Sequence, residues 1–179
     1  MAKMTMVQAL NMALRQEMEK DDRVVVLGED VGVNGGVFRV TEGLQQQFGD
    51  QRVLDTPLAE SMIAGFSIGM ALYGLRPICE MQFSGFSYYA IHQLEAHASR
   101  LRHRSQGRYS FPMVLRAPYG GGVRALEHHS ESREALFAHI PGLKMVMPSG
   151  PRNARALLVA AIRDPDPVVF FEPKAVYRA

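Results

Sequence analysis

Short runs dominated by apolar residues recur along the chain. Runs of this kind, rich in β-branched and aliphatic residues, are typical of strands that are covered on both faces of a sheet. They predict strands at residues 24–27, 53–55, 78–83, 113–116, 144–147 and 168–171.

Between these runs, the spacing of apolar residues changes to that of amphipathic helices. Thr5 and Gln8, three residues apart, form a capping box that predicts a helix ending at about Lys20. Further helices are predicted at residues 41–48, within 56–74, and at 86–104, 131–139 and 151–163. Strands that alternate with helices predict an α/β fold, with a parallel sheet, helices on both faces and right-handed crossovers.

The helix within residues 56–74 has an unusual composition, because Glu60 in its first turn is followed by a long stretch without charge. This stretch predicts a buried helix. Gly65 and Gly69, one turn apart, would let another backbone approach closely, either within the chain or at a subunit contact. The carboxyl group of Glu60 could interact with the helix dipole. It could also lie at the edge of an apolar cleft and share a proton with a ligand nitrogen.

Two glycine-containing segments bear on ligand binding. Glu29 and Asp30 directly follow the first predicted strand, where ligands bind in open α/β sheets, although they could equally anchor a loop. The glycine-rich residues 32–36 do not have the spacing of the dinucleotide fingerprint. Because the chain also has no P-loop, a phosphorylated cofactor would need its diphosphate held elsewhere.

Two other segments are candidates for chemistry. His128 and His129 lie between a triple-glycine loop and a short predicted helix, so a cleft could reach them, although such a pair is often structural. Zinc is a weak interpretation, because no cysteine or carboxylate stands at a ligand spacing. The acidic turn at residues 163–167 could bind a hard cation through oxygen atoms, or be an ordinary turn bounded by prolines.

The composition narrows the class of protein. The 179 residues predict one domain with a single core, and the net charge of +2 gives no reason to expect a nucleic-acid or membrane partner. No run is long enough to span a membrane, and residues 1–6 lack the features of a signal peptide. The single cysteine, Cys79, lies in an apolar run and predicts a buried, inert thiol. These features predict a soluble protein of the reducing cytoplasm.

Six blocks of sequence, in order along the chain, carry a family resemblance. They are LGEDVG at 27–32, GGVFRVTEGL at 35–44, DTPLAE at 55–60, GLRP at 74–77, PGLK at 141–144 and AIRD at 161–164. With these blocks the chain resembles the beta subunit of the thiamine-diphosphate-dependent decarboxylating component of 2-oxo acid dehydrogenase complexes. The resemblance implies a transketolase-type pyrimidine-binding domain over residues 1–179. It also implies that the family's C-terminal domain is missing and that the chain is a fragment.

The resemblance assigns roles to residues of this chain. Glu60 stands at the activating glutamate, which hydrogen-bonds the aminopyrimidine ring of the cofactor. His129 stands at the histidine that assists acyl transfer to the lipoyl group, whereas the role of His128 is left open. Leu58, Gln82 and Phe86 align with positions that line the cofactor and substrate cleft, and some relatives have tyrosine in place of Phe86.

The resemblance also implies ions that this chain would share or bind. A potassium site aligns, mostly through backbone carbonyls, with Met113, Ala161, Ile162, Asp164 and Asp166, and relatives often have asparagine in place of Asp166. The diphosphate and Mg²⁺ are held by the alpha subunit in this family. This chain lacks the required Gly-Asp-Gly…Asn motif.

The implied activity is oxidative decarboxylation of a 2-oxo acid and acyl transfer to lipoyl groups. The implied partners are an alpha subunit in an α2β2 heterotetramer and the dihydrolipoyl acyltransferase core. Pyruvate is favoured as the substrate over branched-chain 2-oxo acids and acetoin. A non-catalytic binding or scaffold domain is the alternative from another class. A nucleic-acid role for the basic residues 99–108 is the interpretation that the sequence favours least.

Overall fold

The computed structural model describes residues 4–178, and within this range six strands form a parallel sheet in the order β2-β1-β3-β4-β6-β5. The strands are β1 Val24–Gly28, β2 Val53–Asp55, β3 Arg76–Glu80, β4 Val114–Tyr119, β5 Lys144–Val146 and β6 Val168–Pro173. The central strands are buried on both faces, as their continuous apolar sequences predict.

Helices cover both faces of the sheet. They are α1 Met6–Lys20, α2 Leu44–Phe48, α3 Glu60–Leu72, α4 Tyr88–Gln93, α5 Ser99–Arg104, α6 Glu134–Ala138 and α7 Pro151–Arg163. One core joins α1 and α7 to one face, with Leu10 and Leu158 fully buried. The other core joins α3 and the helix of residues 88–104 to the opposite face, around Leu94 and Phe171. The predicted parallel α/β architecture is therefore confirmed.

The helix ends agree with their local chemistry. The predicted capping box is present at α1, where the side chains of Thr5 and Gln8 each accept a hydrogen bond from the other's backbone N–H. The α2 helix begins at Leu44 and not at residue 41, because Gly43 takes a left-handed conformation with φ 76°. The predicted helix at 131–139 is shorter, because the Glu131 carbonyl accepts hydrogen bonds from Gly120 and Ser84 and stays in the loop.

The predicted helix at residues 86–104 is not uniform. A 3₁₀ turn at Ser84–Ser87 precedes α4, and a π-helical turn at Leu94–Ala98 separates α4 from α5. The third strand, predicted at residues 78–83, lies earlier in the structure. It begins at Arg76 and ends at Glu80, before the 3₁₀ turn. Among residues 4–178, no helix combines the length and the apolar character that a bilayer crossing requires.

The prediction that α3 is buried is only partly correct. Ile63, Ala64 and Ile68 pack into the core, but the opposite side of the helix exposes Met62 by 40%, Phe66 by 50% and Leu72 by 41%. The sheet covers one side of α3, and apart from the adjacent residues and the backbone of α3 itself, no described atom lies within 4 Å of the Cβ position that a side chain at Gly69 would take. The apolar outer side of α3 is therefore uncovered in this part of the chain.

A buried ionic cluster ties β3, β4 and β6 together at their carboxyl ends. The Arg116 side chain is 1% exposed and donates to Glu172 from Nε (2.7 Å) and Nη2 (2.9 Å), and to Glu80 from Nη1 (2.6 Å). The Tyr177 hydroxyl also donates to Glu172. Burial alone would lower the pKa of Arg116, but the carboxylates of Glu172 and Glu80 outweigh it and raise this pKa above its ordinary value.

Replacing Arg116 with methionine should strongly destabilise the protein. The substitution leaves two buried carboxyl groups without their cation, which typically costs about 3–5 kcal/mol in the free energy of unfolding. Urea denaturation of both proteins measures the difference. The control is Arg23→Met, which removes an exposed ion pair with Asp21 and should leave the stability nearly unchanged. Equal losses in the two variants would contradict the importance of the buried cluster.

Candidate functional site

A cleft of about 540 Å³ opens at the carboxyl ends of β1 and β3. Its walls come from the segments that follow these strands, from the start of α3 and α4, and from the loop before α6. The lining residues are Glu29, Leu58, Glu60, Gln82, Gly85, Phe86, Tyr88, Tyr89, His128 and His129. A larger groove of about 840 Å³ runs along α1, but it contains none of the predicted site residues.

Glu60 lies where the helix α3 meets the cleft. It is the first residue of α3 and is 6% exposed, and within residues 4–178 its carboxyl group has no hydrogen-bonding or ion-pair partner. Its oxygens reach the open space of the cleft, so a donor of a bound ligand could take the place of water there. The helix dipole also acts favourably on a carboxylate at this position. The two interpretations from the sequence therefore describe one side chain that can serve both purposes.

Glu29 gives the cleft a second acidic group. It directly follows β1, and burial, together with the nearby charges of Glu60 and Asp30, raises its pKa from 4.5 to about 7. Glu29 is thus poised to gain or lose a proton near neutral pH. The Gln82 side chain donates a hydrogen bond to Asp30, the residue after Glu29 (3.1 Å). This bond holds the Gln82 amide at the edge of the cleft.

The two histidines take different positions. The His129 ring contacts the edges of Phe83 and Phe86, with centroid distances of 4.6 and 5.3 Å. His128 lies closer to solvent, and its Nδ1 is 3.5 Å from a carboxylate oxygen of Glu131. A Cβ at Gly85 would come within 2.1 Å of the His128 carbonyl oxygen, so this loop sits directly on the glycine backbone. His129 is therefore held among aromatic rings while His128 forms the rim.

The remaining walls are apolar or aromatic. Leu58 is 79% exposed at the mouth of the cleft, and Phe86 lies deeper. Tyr88, Tyr89 and Gly85 were not predicted as site residues. The aromatic start of the helix after β3 could have pointed to the two tyrosines. Gly85 gave no signal in the sequence, because its role depends on contact with a loop more than forty residues away.

The residues predicted to bind a cation lie at the opposite, amino-terminal edge of the sheet. The Met113 carbonyl accepts from the Val168 N–H (2.9 Å), and the Ile162 carbonyl accepts from Arg76 (2.8 Å). Ala161 lies beside Ile162 in α7. The carboxylates of the set are paired with cations, as Lys144 binds Asp164 (2.7 Å) and Arg102 binds Asp166 (2.6 Å).

In the part of the chain that the structure describes, no three His, Cys, Asp or Glu side chains form a metal-ligand cluster. A cation at the predicted site would thus depend on backbone carbonyl oxygens, as the sequence comparison with the family implied. The site stays a prediction.

Comparison with known proteins gives one family and consistent relatives. A family model described as the pyrimidine binding domain of transketolase matches residues 2–179. The pyruvate dehydrogenase E1 component subunit beta of Acholeplasma laidlawii is 59% identical over 100% of this chain and 55% of its own length. The 2-oxoisovalerate dehydrogenase subunit beta of Bacillus subtilis is 57% identical over 99% of this chain and 54% of its own length. The chain thus spans about half the length of these curated relatives.

A solved structure described as a split gene transketolase, inactive beta4 tetramer, has the same fold with a TM-score of 0.76. Its sequence is 17% identical, and the alignment covers 97% of this chain and 52% of that chain. The transketolase-type fold expected from the sequence is therefore confirmed.

Replacing Glu29 with glutamine should stabilise the protein more at pH 8 than at pH 5. The folded chain holds the Glu29 proton up to about pH 7, whereas the unfolded chain releases it near pH 4.5. The wild type therefore loses stability as the pH rises through this window, and the glutamine variant does not. Urea denaturation at both pH values measures the difference. The same substitution at exposed Glu95 is the control, and an equal effect of Glu29→Gln at both pH values would contradict the prediction.

Proposed function

Because the chain belongs to the transketolase pyrimidine-binding domain family, we propose that it forms one half of a thiamine-diphosphate site. The parent protein would be the beta subunit of the decarboxylating component of a 2-oxo acid dehydrogenase complex. The observation that carries this proposal is the Glu60 carboxyl group, nearly buried and without a partner among the described residues, at the edge of an aromatic cleft.

The residues of the cleft fit the aminopyrimidine end of this cofactor. Leu58 and Phe86 offer apolar surfaces on which a flat ring can lie, and Glu60 offers an acceptor for a ring N–H. When bound, thiamine diphosphate supplies the carbon nucleophile that attacks the keto group of the 2-oxo acid. The Glu60 carboxyl group would form a hydrogen bond with the ring nitrogen at this nearly buried position.

Other residues would act around this contact. Burial, and secondarily the nearby charge of Glu60, raises the pKa of Glu29 to about 7, so Glu29 would add a titratable group beside the cofactor ring near neutral pH. His129, at the cleft wall, would assist acyl transfer to the lipoyl group of a dihydrolipoyl acyltransferase. His128 at the rim would meet the incoming lipoyl arm or the partner chain.

The charge of the cleft supports the need for an alpha subunit. None of its lining residues is a lysine or an arginine, so this wall has no permanent positive charge with which to bind a diphosphate. An alpha subunit would hold the diphosphate and Mg²⁺ across an interface. The exposed Met62, Phe66 and Leu72 of α3 form a surface suited to burial between subunits, consistent with an α2β2 heterotetramer.

We also propose that the assembly works on pyruvate, in the cytoplasm, with potassium at Met113, Ala161, Ile162, Asp164 and Asp166. The similar identities to a pyruvate and a 2-oxoisovalerate relative do not separate the substrates. Branched-chain 2-oxo acids and acetoin are therefore tested beside pyruvate.

The activity is tested with the full-length subunit co-expressed with its alpha partner. Reduction of an artificial electron acceptor is followed with and without thiamine diphosphate and Mg²⁺, on pyruvate, on 3-methyl-2-oxobutanoate and on acetoin. Cofactor-dependent turnover on a 2-oxo acid supports the proposal, and the faster substrate identifies the complex. A well-formed assembly that turns over none of the three would favour a binding or scaffold role.

Glu60→Gln in this assembly should lower turnover roughly 10²–10⁴-fold, because the amide cannot share the proton as a carboxyl group does. Assembly, measured by sedimentation, should survive. The control is Glu95→Gln, at an exposed position on the π-helical turn, which should retain activity. Full activity of the Glu60 variant would exclude the proposed role of this residue.

Gly69→Ala should have opposite effects on the separate subunit and on the assembly. In the separate subunit the new methyl group meets open space, and the gain in helix propensity should add up to ~1 kcal/mol to the free energy of unfolding. In the assembly, the methyl group would keep a facing helix at a distance and weaken association. Denaturation and sedimentation measure the two effects, and unchanged association would place the subunit contact elsewhere.

A further inference from the structure

A buried ammonium group lies behind the histidine loop. Lys174 begins the 3₁₀ helix that follows β6 and is 7% exposed. Its Nζ donates a hydrogen bond to the backbone carbonyl of His129 and lies 5.0 Å from the centroid of the Phe83 ring. The Phe83 ring in turn contacts the imidazole of His129 at 4.6 Å. One side chain thus touches both the backbone of His129 and the ring that packs against its imidazole.

Burying the Lys174 ammonium group lowers the stability of the fold. Burial lowers the pKa of Lys174, which reports the cost of keeping its charge away from water. Over residues 4–178, no carboxylate lies within ion-pair distance of Lys174, and its ammonium group contacts a carbonyl oxygen and an aromatic ring. An apolar side chain of similar length would fill this space without that cost. The ammonium group therefore serves a contact that an apolar residue cannot make.

We infer that Lys174 is a positioning residue for His129, an inference that rests on the proposed function of that histidine. Lys174 is absent from the lining of the cleft, so it acts through His129 and Phe83 without contacting a substrate. Contacts from outside the loop also hold the neighbours of His129, since Ser84 and Gly120 bind the Glu131 carbonyl and Gly85 supports His128. The His129 N–H bonds within the loop, to the Leu126 carbonyl (3.2 Å). Lys174 is the side chain that holds the His129 carbonyl itself.

The test uses the full-length subunit assembled with its alpha partner and the variant Lys174→Met, which keeps the length of the side chain and removes its charge. Two rates are measured, the reduction of an artificial acceptor and the acylation of a lipoyl domain. Only the second involves His129. Lys174→Met should lower the acylation rate by about tenfold to a hundredfold, as the displacement of a reacting group does, and largely spare acceptor reduction. Lys174→Arg, which keeps a cationic donor, should recover part of the lost rate.

A double-mutant cycle separates positioning from a general structural effect. In a His129→Ala background, Lys174→Met should cause no further loss of acylation, because the group that it positions is gone. The inference would be overturned if Lys174→Met lowered the acylation rate by the same factor with and without His129. It would also be overturned if Lys174→Met lowered both half-reactions equally. If the methionine variant does not assemble, Lys174→Gln takes its place in the same cycle. Lys20→Met, at the exposed end of α1, is the control.

Hydrogen exchange of the cofactor-free assembly gives a readout that does not depend on activity. The segment of residues 120–133 should exchange faster in Lys174→Met than in the wild type or in Lys20→Met. Unchanged exchange would exclude Lys174 as the anchor of this loop. If the wild-type assembly shows no cofactor-dependent turnover, the proposed function fails, and the exchange experiment still decides whether Lys174 holds His129 in place.

Discussion

The buried guanidinium of Arg116 is the group on which the arrangement of the cleft depends. It binds carboxylates from the strands on either side of β4, so β3, β4 and β6 are fixed relative to one another at their carboxyl ends. The residues that follow β3 and β6 carry Gln82, Phe83 and Lys174 into position around the histidine loop. A charge cluster whose residues do not line the cleft thereby sets the spacing of the walls.

The same cluster explains what the sequence could and could not predict. The strand at residues 53–55 and the helix at 151–163 lie where their apolar spacing and the helix-initiating Pro151 placed them. The strand predicted at 113–116 continues to Tyr119, because Glu80 and Glu172 neutralise Arg116 inside the sheet. Its partners lie on neighbouring strands more than thirty residues away. Such a pairing depends on the order of strands, which periodicity does not contain.

The cleft also has some residues that the sequence could predict and others that it could not. Every residue predicted to bind the cofactor or act beside it lies in its wall. Glu60 and the histidines could be singled out from the residues themselves, whereas Leu58, Gln82 and Phe86 came from the family resemblance. The roles of Gly85 and Lys174 depend on contacts with the loop of residues 120–133, which has little regular structure to predict. Likewise, the uncharged sequence of α3 predicted a buried helix but could not tell whether its outer apolar side faces this chain or another.

The exposed side of α3 also has a consequence for how such a subunit is made in a cell. The helix that carries Glu60 into the cleft presents Met62, Phe66 and Leu72 to solvent along the same few turns. A chain that accumulates without a covering partner would display this apolar strip to every other copy and to proteases and chaperones. Balanced synthesis of the two subunits would then protect solubility as well as activity.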